Sequence, residues 1–548
     1  MREDDNSLNS LEDVFNYHQA TKHNFNAYAK GPGWLDWANQ PDPFRRYAGS
    51  RLIPLERDLP LGDLRYDEVF IAGKITPAPV NLQSISRLFY DCLAISAWKA
   101  MGEVRWSLRV NPSSGNLHPT EGYLLCGPIE GLNDRPMVCH YVPHEHGLEI
   151  RAEFEPGLWN ALTTHLPDGI IYIGLTSIHW REEWKYGQRA YRYCQHDIGH
   201  ATAAVSIAAA GLGWESKIMD DLGSDELALL LGTHRQHAAE QEEPDVLIAI
   251  TPEKFTGEGI AFPSEHIKKF ATLQWQGVAN QLSLAHLDWG VADVAAVTRK
   301  PNGRIPGELY RIYQHDGNPD TRSDIRPVLL RKIIHQRRSA VAMDGATRIS
   351  RNTFYHMLER LVAFRSPPLN VLPWKPHIYL ALFVHRVNDL PPGLYLLVRD
   401  PGRKKSLQSA LTQADEWQRP DGCPKHLELY CLIARNVQEA SRQISCSQDI
   451  ASKGCFSLAM IAEYQKPLAQ YGAWFYPRLF WEAGIIGQML YLEAEAAGIR
   501  STGIGCFFDD AMHAVLGLKD TEYQDLYHFT VGGPVEDSRL TTLPPYGA

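Results

Sequence analysis

Nowhere in its 548 residues does the sequence carry an apolar run long enough to cross a bilayer. The first residues, Met-Arg-Glu-Asp-Asp-Asn, are polar and acidic where a secretory leader needs a basic start and an apolar stretch. Cysteine is sparse: nine residues, odd in number and scattered, with no Cys-x-x-Cys pair, which argues against a disulfide scaffold and a cysteine-built zinc site. A cytoplasmic protein without a membrane partner is the expectation. Basic residues are outnumbered, 54 Lys and Arg against 64 Asp and Glu, and they form no cluster, so nucleic acid is not expected as a partner. Also missing is a Gly-x-Gly-x-x-Gly turn after an opening strand, which argues against a dinucleotide-binding Rossmann domain. The 44% of hydrophobic residues still suffices for two sizeable cores.

What the sequence does contain is one pattern twice. Asp197-Ile-Gly199-His200 opens an alanine-rich stretch that closes at Gly213, and Glu482-Ala-Gly484 opens another that closes at Gly498. The pair Tyr186-Gly187 returns as Tyr471-Gly472, so the offset holds at 285 from 186→471 to 213→498. Upstream, Ile85-Ser86-Arg87 is echoed by Ile349-Ser350-Arg351. A repeat spanning about half the chain implies two copies of one domain. The small residues of the 201–210 stretch suit a buried helix that neighbours can approach closely.

Helical patterns fall near 84–101, 194–212, 224–232, 349–364, 479–497 and 509–516. Short apolar runs suited to strands fall near 121–127, 169–177, 245–251, 376–386, 427–434, 454–462 and 526–531. The mixture predicts an α+β fold. Residues 1–80, polar and rich in Pro, Gly and aromatics, read as an extension wrapping a domain surface. Residues 81–290 read as the first domain, 291–320 as a linker carrying Lys300-Pro-Asn-Gly, and 321–548 as the second domain. Asn116 to Lys185 spans 69 residues and the matching Asn370 to Gln470 spans 100, an excess placed in the polar stretch around 399–455.

Pro112-Ser113-Ser114-Gly115-Asn116-Leu117-His118-Pro119 resembles the Pro-Ser-x-x-Asn-x-x-Pro segment of the FMN-dependent nitroreductase superfamily. Arg337-Arg338-Ser339 and Gly498-Ile-Arg-Ser501-Thr-Gly503-Ile504-Gly505 resemble its phosphate-binding start and its glycine-rich turn. Within it, Trp184-Lys185-Tyr186-Gly187 and Asp197-x-Gly-His resemble the SagB-type branch, which includes azoline dehydrogenases acting on peptides. The resemblance implies two tandem nitroreductase-like domains, mixed or antiparallel sheets flanked by long helices, folded on each other as an intramolecular pseudo-dimer.

It further implies FMN as cofactor. Arg337, Arg338 and Ser339 would hold the phosphate through charge-assisted bonds, with Arg539 as an addition. Pro112, Ser113, Ser114 and Asn116 would contribute to the flavin site, the two serines and Asn116 facing the ring. Ser501, Gly503, Ile504, Gly505 and Cys506 would pass the backbone close to it, Gly505 or Cys506 donating to flavin N5. Lys185 and Tyr186 would act on substrate, the lysine as a base. The first copy lacks Arg-Arg-Ser and the second has Gln470 in place of Lys185, so the retained sets complement each other and predict one hybrid site. No metal is expected: His196-Asp197-x-x-His200 is one residue from a zinc signature but has no third ligand. His140, His144 and His146 read as a surface loop. Three functions stay open: a dehydrogenase or oxidase taking a small-molecule or peptide substrate, an NAD(P)H-dependent nitro or quinone reductase, and a degenerate scaffold in a peptide-modifying complex.

Overall fold

The computed structural model describes residues 2–236, 239–255, 262–303 and 326–547, with side chains from residue 10 onward. Most of the expected linker, 304–320, lies outside the described residues; its start is a short helix, Val291–Val297.

Two antiparallel sheets form the frame, one per half. The first-half strands are β1 (Leu52–Pro54), β2 (Ile95–Met101), β3 (Val104–Arg109), β4 (Thr120–Cys126), β5 (Met137–Val142), β6 (Gly147–Glu153), β7 (Ile171–Ser177), β8 (Glu215–Ile218) and β9 (Glu243–Thr251). The second half adds β10 (Ile378–Val384), β11 (Gly393–Leu397), β12 (Leu429–Ile433), β13 (Phe456–Glu463), β14 (Arg500–Ile504), β15 (Tyr523–Gly532) and β16 (Thr541–Leu543). The sheet orders are β1-β6-β5-β4-β7-β9-β8 and β12-β11-β10-β13-β15-β14. Six consecutive strands of each therefore correspond, from β6 to β8 in the first sheet and from β12 to β14 in the second. The central pairs match in extent: β4 runs against β7 from Thr120↔Ser177 to Cys126↔Ile171, and β10 against β13 from Ile378↔Ala462 to Val384↔Phe456. These strands are buried throughout, which explains why they read as unbroken apolar runs.

The helices that matter for the site are α1 (Arg2–Ala20), α2 (His179–Tyr186), α3 (Ala190–Ala210), α4 (Leu330–Gln336) and α5 (Tyr476–Ala496). α3 and α5 are the repeated stretches, each 21 residues long and buried at every position. Pro477 in the first turn of α5 sits where no intrahelical N–H is needed. The two helices cross where the repeated glycines meet. A Cβ on Gly484 would lie 2.2 Å from the His196 carbonyl oxygen and 2.8 Å from Gly199 Cα, and one on Gly199 would lie 2.3 Å from the Trp481 carbonyl oxygen. The glycine two residues after the acid in each copy is thus the contact of one half with the other.

A second contact carries the same approximate twofold relation. Tyr66 N–H donates to the Val328 carbonyl and Leu330 N–H to the Leu64 carbonyl, both at 2.9 Å, on either side of an Arg65↔Leu329 bridge. The chain ends tie the halves further. Residues 1–80 give α1, whose His18 reaches Tyr476 in α5 at 3.1 Å, and the edge strand β1. The last strand, β16, pairs back onto β2 of the first half. The expected helix over 84–101 stops at Cys92, and its second part is β2. His140 is a buried residue of β5 bonded to Glu121 and Glu149, and His146 is buried against Tyr141; only His144 of that group is exposed. Burial pulls His140 down, but hydrogen bonds to the two glutamates outweigh it and raise its pKa. No described helix is both long and apolar enough to cross a membrane.

Candidate functional site

A cavity of about 520 Å³ lies between the halves. The first half contributes Pro112, Ser113, Ser114, Gly115 and Asn116, with Tyr186; the second contributes Arg337, Arg338 and Ser339, with Gly503, Ile504, Gly505 and Cys506. Its size is in the range of sites for small organic ligands.

At one end α4 finishes and delivers the two arginines. Arg337 is buried; its Nε donates to the Val110 carbonyl at 3.2 Å and its Nη2 to the Arg109 carbonyl at 3.0 Å. Arg338 donates to Ser96 Oγ at 3.2 Å. Both therefore lean on backbone and side chains of the first half. Among the described residues neither guanidinium has a carboxylate within 4.0 Å; the neighbouring Glu495 and Glu536 are paired with Arg500 at 3.7 and 2.5 Å. Burial lowers both arginines, Arg338 to about 10 with Arg337 beside it as the second cause. A buried and a half-buried guanidinium with no carboxylate in contact make a corner suited to an anion. Tyr491 of α5 organises it: its hydroxyl bonds Ser339 Oγ at 2.8 Å and accepts from Gly503 N–H at 3.2 Å, and its ring lies 4.9 Å from the Arg337 guanidinium carbon.

The facing loop is held by the repeated acid. Asp197 accepts from Ser114 N–H at 3.1 Å and from Ser114 Oγ at 3.1 Å. Gly115, Asn116 and His118 all adopt left-handed backbone, with φ of 58°, 60° and 55°. Asn116 donates from Nδ2 to the Ser107 carbonyl at 2.9 Å, so that nitrogen braces the loop. Burial raises Asp197 to about 7 against the hydrogen bonds from Ser113 and Ser114. In the second half Glu482 performs the matching task, accepting from His377 N–H at 3.0 Å, but there the buried Arg399 supplies a cation.

Lys185 and Tyr186 close α2, which ends at Gly187 with φ 55°. A side chain at Gly187 would strike Gly31 Cα at 2.5 Å and the Lys30 carbonyl oxygen at 2.6 Å, so this glycine lets the N-terminal segment press on the α2 terminus. Lys185 Nζ and Tyr186 Oη both hang over Gly115, 3.0 and 2.6 Å from where its Cβ would be. One turn earlier lies Glu182, fully buried, with no hydrogen-bond partner for either carboxyl oxygen among the described residues. Burial, then the nearby Asp197, pushes it well above the usual carboxylate range against the opposing Lys185. Glu182 is thus an unpartnered buried carboxyl behind the lysine, and nothing in its sequence surroundings signals it.

Three expected residues are not among those lining the cavity: Lys185, which reaches over Gly115 from behind Tyr186, Ser501 and Arg539. Arg539 does not line the cavity, although Asp537 and Leu540 on the same segment do; it is exposed and paired with Asp537 at 2.7 Å. Ser501 is buried behind the wall, bridging to Ser339. The space left by Gly503 and Gly505 is taken by tyrosines: an added Cβ would stand 2.0 Å from Tyr527 Oη and 2.4 Å from Tyr193 Cε1. Tyr193, Tyr491 and Tyr527 are cavity residues missed from the sequence, although Tyr193 and Tyr491 fall on the repeated helices. His196 stacks on Tyr527 at 4.1 Å, and His200, which also lines the cavity, places Nε2 3.2 Å from the Tyr527 hydroxyl.

The 285-residue offset locates the other half's counterpart. Ile218, Met219 and Asp220 correspond to Gly503, Ile504 and Gly505, and Arg478 to Tyr193. These residues line a cavity of only about 20 Å³, crowded by Trp374 and Trp481.

Comparisons with known proteins agree with this architecture. The model of the Nitroreductase family matches residues 426–533. A nitroreductase-like protein of Methanocaldococcus jannaschii is 22% identical over 195 residues, 32% of this chain and 94% of its own length. A chain of the Escherichia coli microcin synthetase McbBCD complex, solved with truncated pro-MccB17 bound, aligns over 44% of this chain and 92% of its own at a TM-score of 0.26 and 18% identity. The crystal structure of a nitroreductase-like protein from Anabaena variabilis superposes with a TM-score of 0.68 at 19% identity, over 95% of this chain and 99% of that one. The fold is that of the nitroreductases, and it extends over both halves of the chain.

Proposed function

We propose that this chain is an FMN-dependent oxidoreductase of the SagB-type dehydrogenase kind, with one flavin between its halves. The observation that carries the reading is the cavity itself, in which a carboxylate-free arginine pair from the second half faces the Ser113–Asn116 loop and Tyr186 of the first. The fit to the cofactor rests on those arginines. A phosphate would supply the anion they lack, with Ser339 Oγ adding a neutral donor.

Bound flavin supplies a two-electron acceptor or donor at its ring. The chain's own residues supply the rest. Arg337, Arg338 and Ser339 anchor the phosphate, and Asp197 fixes the Ser113-Ser114 turn by gripping its backbone. Lys185 Nζ, poised above Gly115, takes a proton from the substrate, and Tyr186 orients it. The crowded counterpart cavity, with Gln470 in place of the lysine, supports a single site per chain.

Counting the flavin tests this. One FMN per chain is expected, released on denaturation and quantified against protein. Arg337→Ala combined with Arg338→Ala should lower affinity by one or more orders of magnitude, since each charge-assisted bond contributes about 1.5–3 kcal/mol. Two equivalent flavins per chain, or a double variant that keeps its flavin, overturns the hybrid site. Oxygen-dependent oxidation of an azoline peptide with slow bleaching by NAD(P)H supports the dehydrogenase; rapid bleaching with turnover of a nitroaromatic replaces it with the reductase.

A further inference from the structure

At the rim of the cavity two cysteines meet. Cys506 lines the cavity directly after the glycine strand β14, and Cys446 follows the helix Gln438–Ile444. Two hydrogen bonds bracket the pair: Phe508 N–H donates to the Ile444 carbonyl at 2.7 Å, and Gln448 Nε2 donates to the Cys506 carbonyl at 3.0 Å. Between those ties, Cys446 and Ser447 both adopt left-handed backbone, φ 52° and 58°, an arrangement uncommon for two successive residues with side chains. Those ties hold the 445–448 turn alongside the Cys506 segment, close enough that each thiol acts on the other. Both are partly exposed, whereas Cys92, Cys126, Cys139, Cys194 and Cys455 are buried. Neither has a counterpart in the first half. The residue related to Cys506 by the repeat offset is Asp221, and Cys446 falls in the stretch where the second half carries its excess.

The two thiols are also made unequal. Hydrogen bonding from Cys446 holds Cys506 below its ordinary range despite burial, and the Arg189 guanidinium, which donates to the adjoining Gly505 carbonyl at 3.2 Å, acts in the same direction. Cys446 is pushed up in return. The Arg189 guanidinium beside Cys506 favours a thiolate there, which makes Cys506 the nucleophile and Cys446 the resolving partner.

We propose that Cys446 and Cys506 form a thiol–disulfide exchange site that takes a low-molecular-weight disulfide as oxidant and closes into an intrachain disulfide at the cavity rim. The Cys506 thiolate attacks one sulfur of the disulfide, forming a mixed disulfide and expelling a thiolate that is protonated by solvent. Cys446 then gives up its proton and attacks Cys506 Sγ, releasing the second small thiol. Two protein thiols are oxidised by two electrons in all, and one small disulfide is reduced to two thiols. The closed bond ties the 445–448 turn to the segment that forms the cavity edge. The site stands whether or not a flavin occupies the cavity.

The full-length chain, as purified, is treated with oxidised glutathione and analysed by intact mass and peptide mapping. The expected product has lost two hydrogens, carries a Cys446–Cys506 cross-link and is restored by dithiothreitol. Differential alkylation of the untreated wild-type chain should find Cys506 about tenfold or more faster than Cys423 or Cys431, the other partly exposed cysteines, whose thiols burial pushes up, Cys423 to about 11. Cys446→Ser should stop at a stable mixed disulfide on Cys506. Independent glutathionylation of both residues in the wild type, or alkylation of Cys506 no faster than Cys423, overturns the proposal. The wild-type measurements need no variant to fold.

Discussion

Replacing Gly484 with alanine would place a methyl carbon 2.2 Å from the His196 carbonyl oxygen, 2.8 Å from Gly199 Cα and 2.9 Å from His200 N. All three atoms are backbone of the facing helix, so no rotamer change relieves the contact. Reaching even 3.0 Å, the floor for real Cβ contacts, requires about 0.8 Å of movement along the line to that carbonyl. Overpacking in a close-packed interior costs about 1–3 kcal/mol. The upper part of that range is expected here, because α3 and α5 are buried at every position and cannot shift into solvent. Gly487→Ala is the control: its Cβ meets the His200 imidazole at 2.6 Å and the Phe529 ring at 3.1 Å, side chains that can turn. Urea unfolding at unchanged m-value should give a lower midpoint for Gly484→Ala than for Gly487→Ala. Since α3 carries Tyr193 and Asp197 and α5 carries Tyr491, the same movement widens the cavity, and FMN retention should fall with the midpoint. A Gly484→Ala chain with wild-type midpoint and wild-type flavin retention would refute the reasoning.

Asp197, raised by burial to about 7 from an ordinary 3.8, binds its proton more tightly folded than unfolded, so its contribution is complete below pH 4 and is lost as pH rises through 7. The shift corresponds to roughly 4 kcal/mol; the stability of Asp197→Asn relative to wild type should therefore climb between pH 4 and 7, and a flat difference curve would contradict it. Lys185→Met should reduce oxidative turnover by ~100-fold or more while flavin content stays near wild type, with Gln470→Ala nearly silent. Undiminished turnover in Lys185→Met removes the lysine from the chemistry.

The long buried helices and the apolar central strands were legible because their signals are local: small residues on every face of α3, and continuous hydrophobic runs in β4, β7, β10 and β13. The offset between Asp197-x-Gly and Glu482-x-Gly even marked the helix crossing, although the reason for the glycine emerged only with Gly199 against Gly484. Legibility failed where the deciding partner is remote in sequence. Ile95–Met101 extends a helical pattern but forms a strand because Val104–Arg109 and Thr541–Leu543 pair with it. His140 reads as loop until Glu121 and Glu149 arrive on neighbouring strands. In the site, the residue types of the arginine corner and the serine loop were readable as motifs. Tyr491, Tyr527 and the unpartnered Glu182 were not, since their roles depend on what packs beside them. Arg539 failed for the opposite reason, a partner too close at hand.

A symmetric dimer repeats every substitution on both sides of its axis, so a residue that blocks one site blocks its twin. Joining the halves in one chain breaks that rule. Trp374, Trp481 and Arg478 can seal one side while the opposite side stays open, and each face is free to drift toward its own task. The tether also fixes the local concentration of each half around the other. The open cavity, walled by both, therefore persists at dilutions where separate subunits would part and surrender whatever they held.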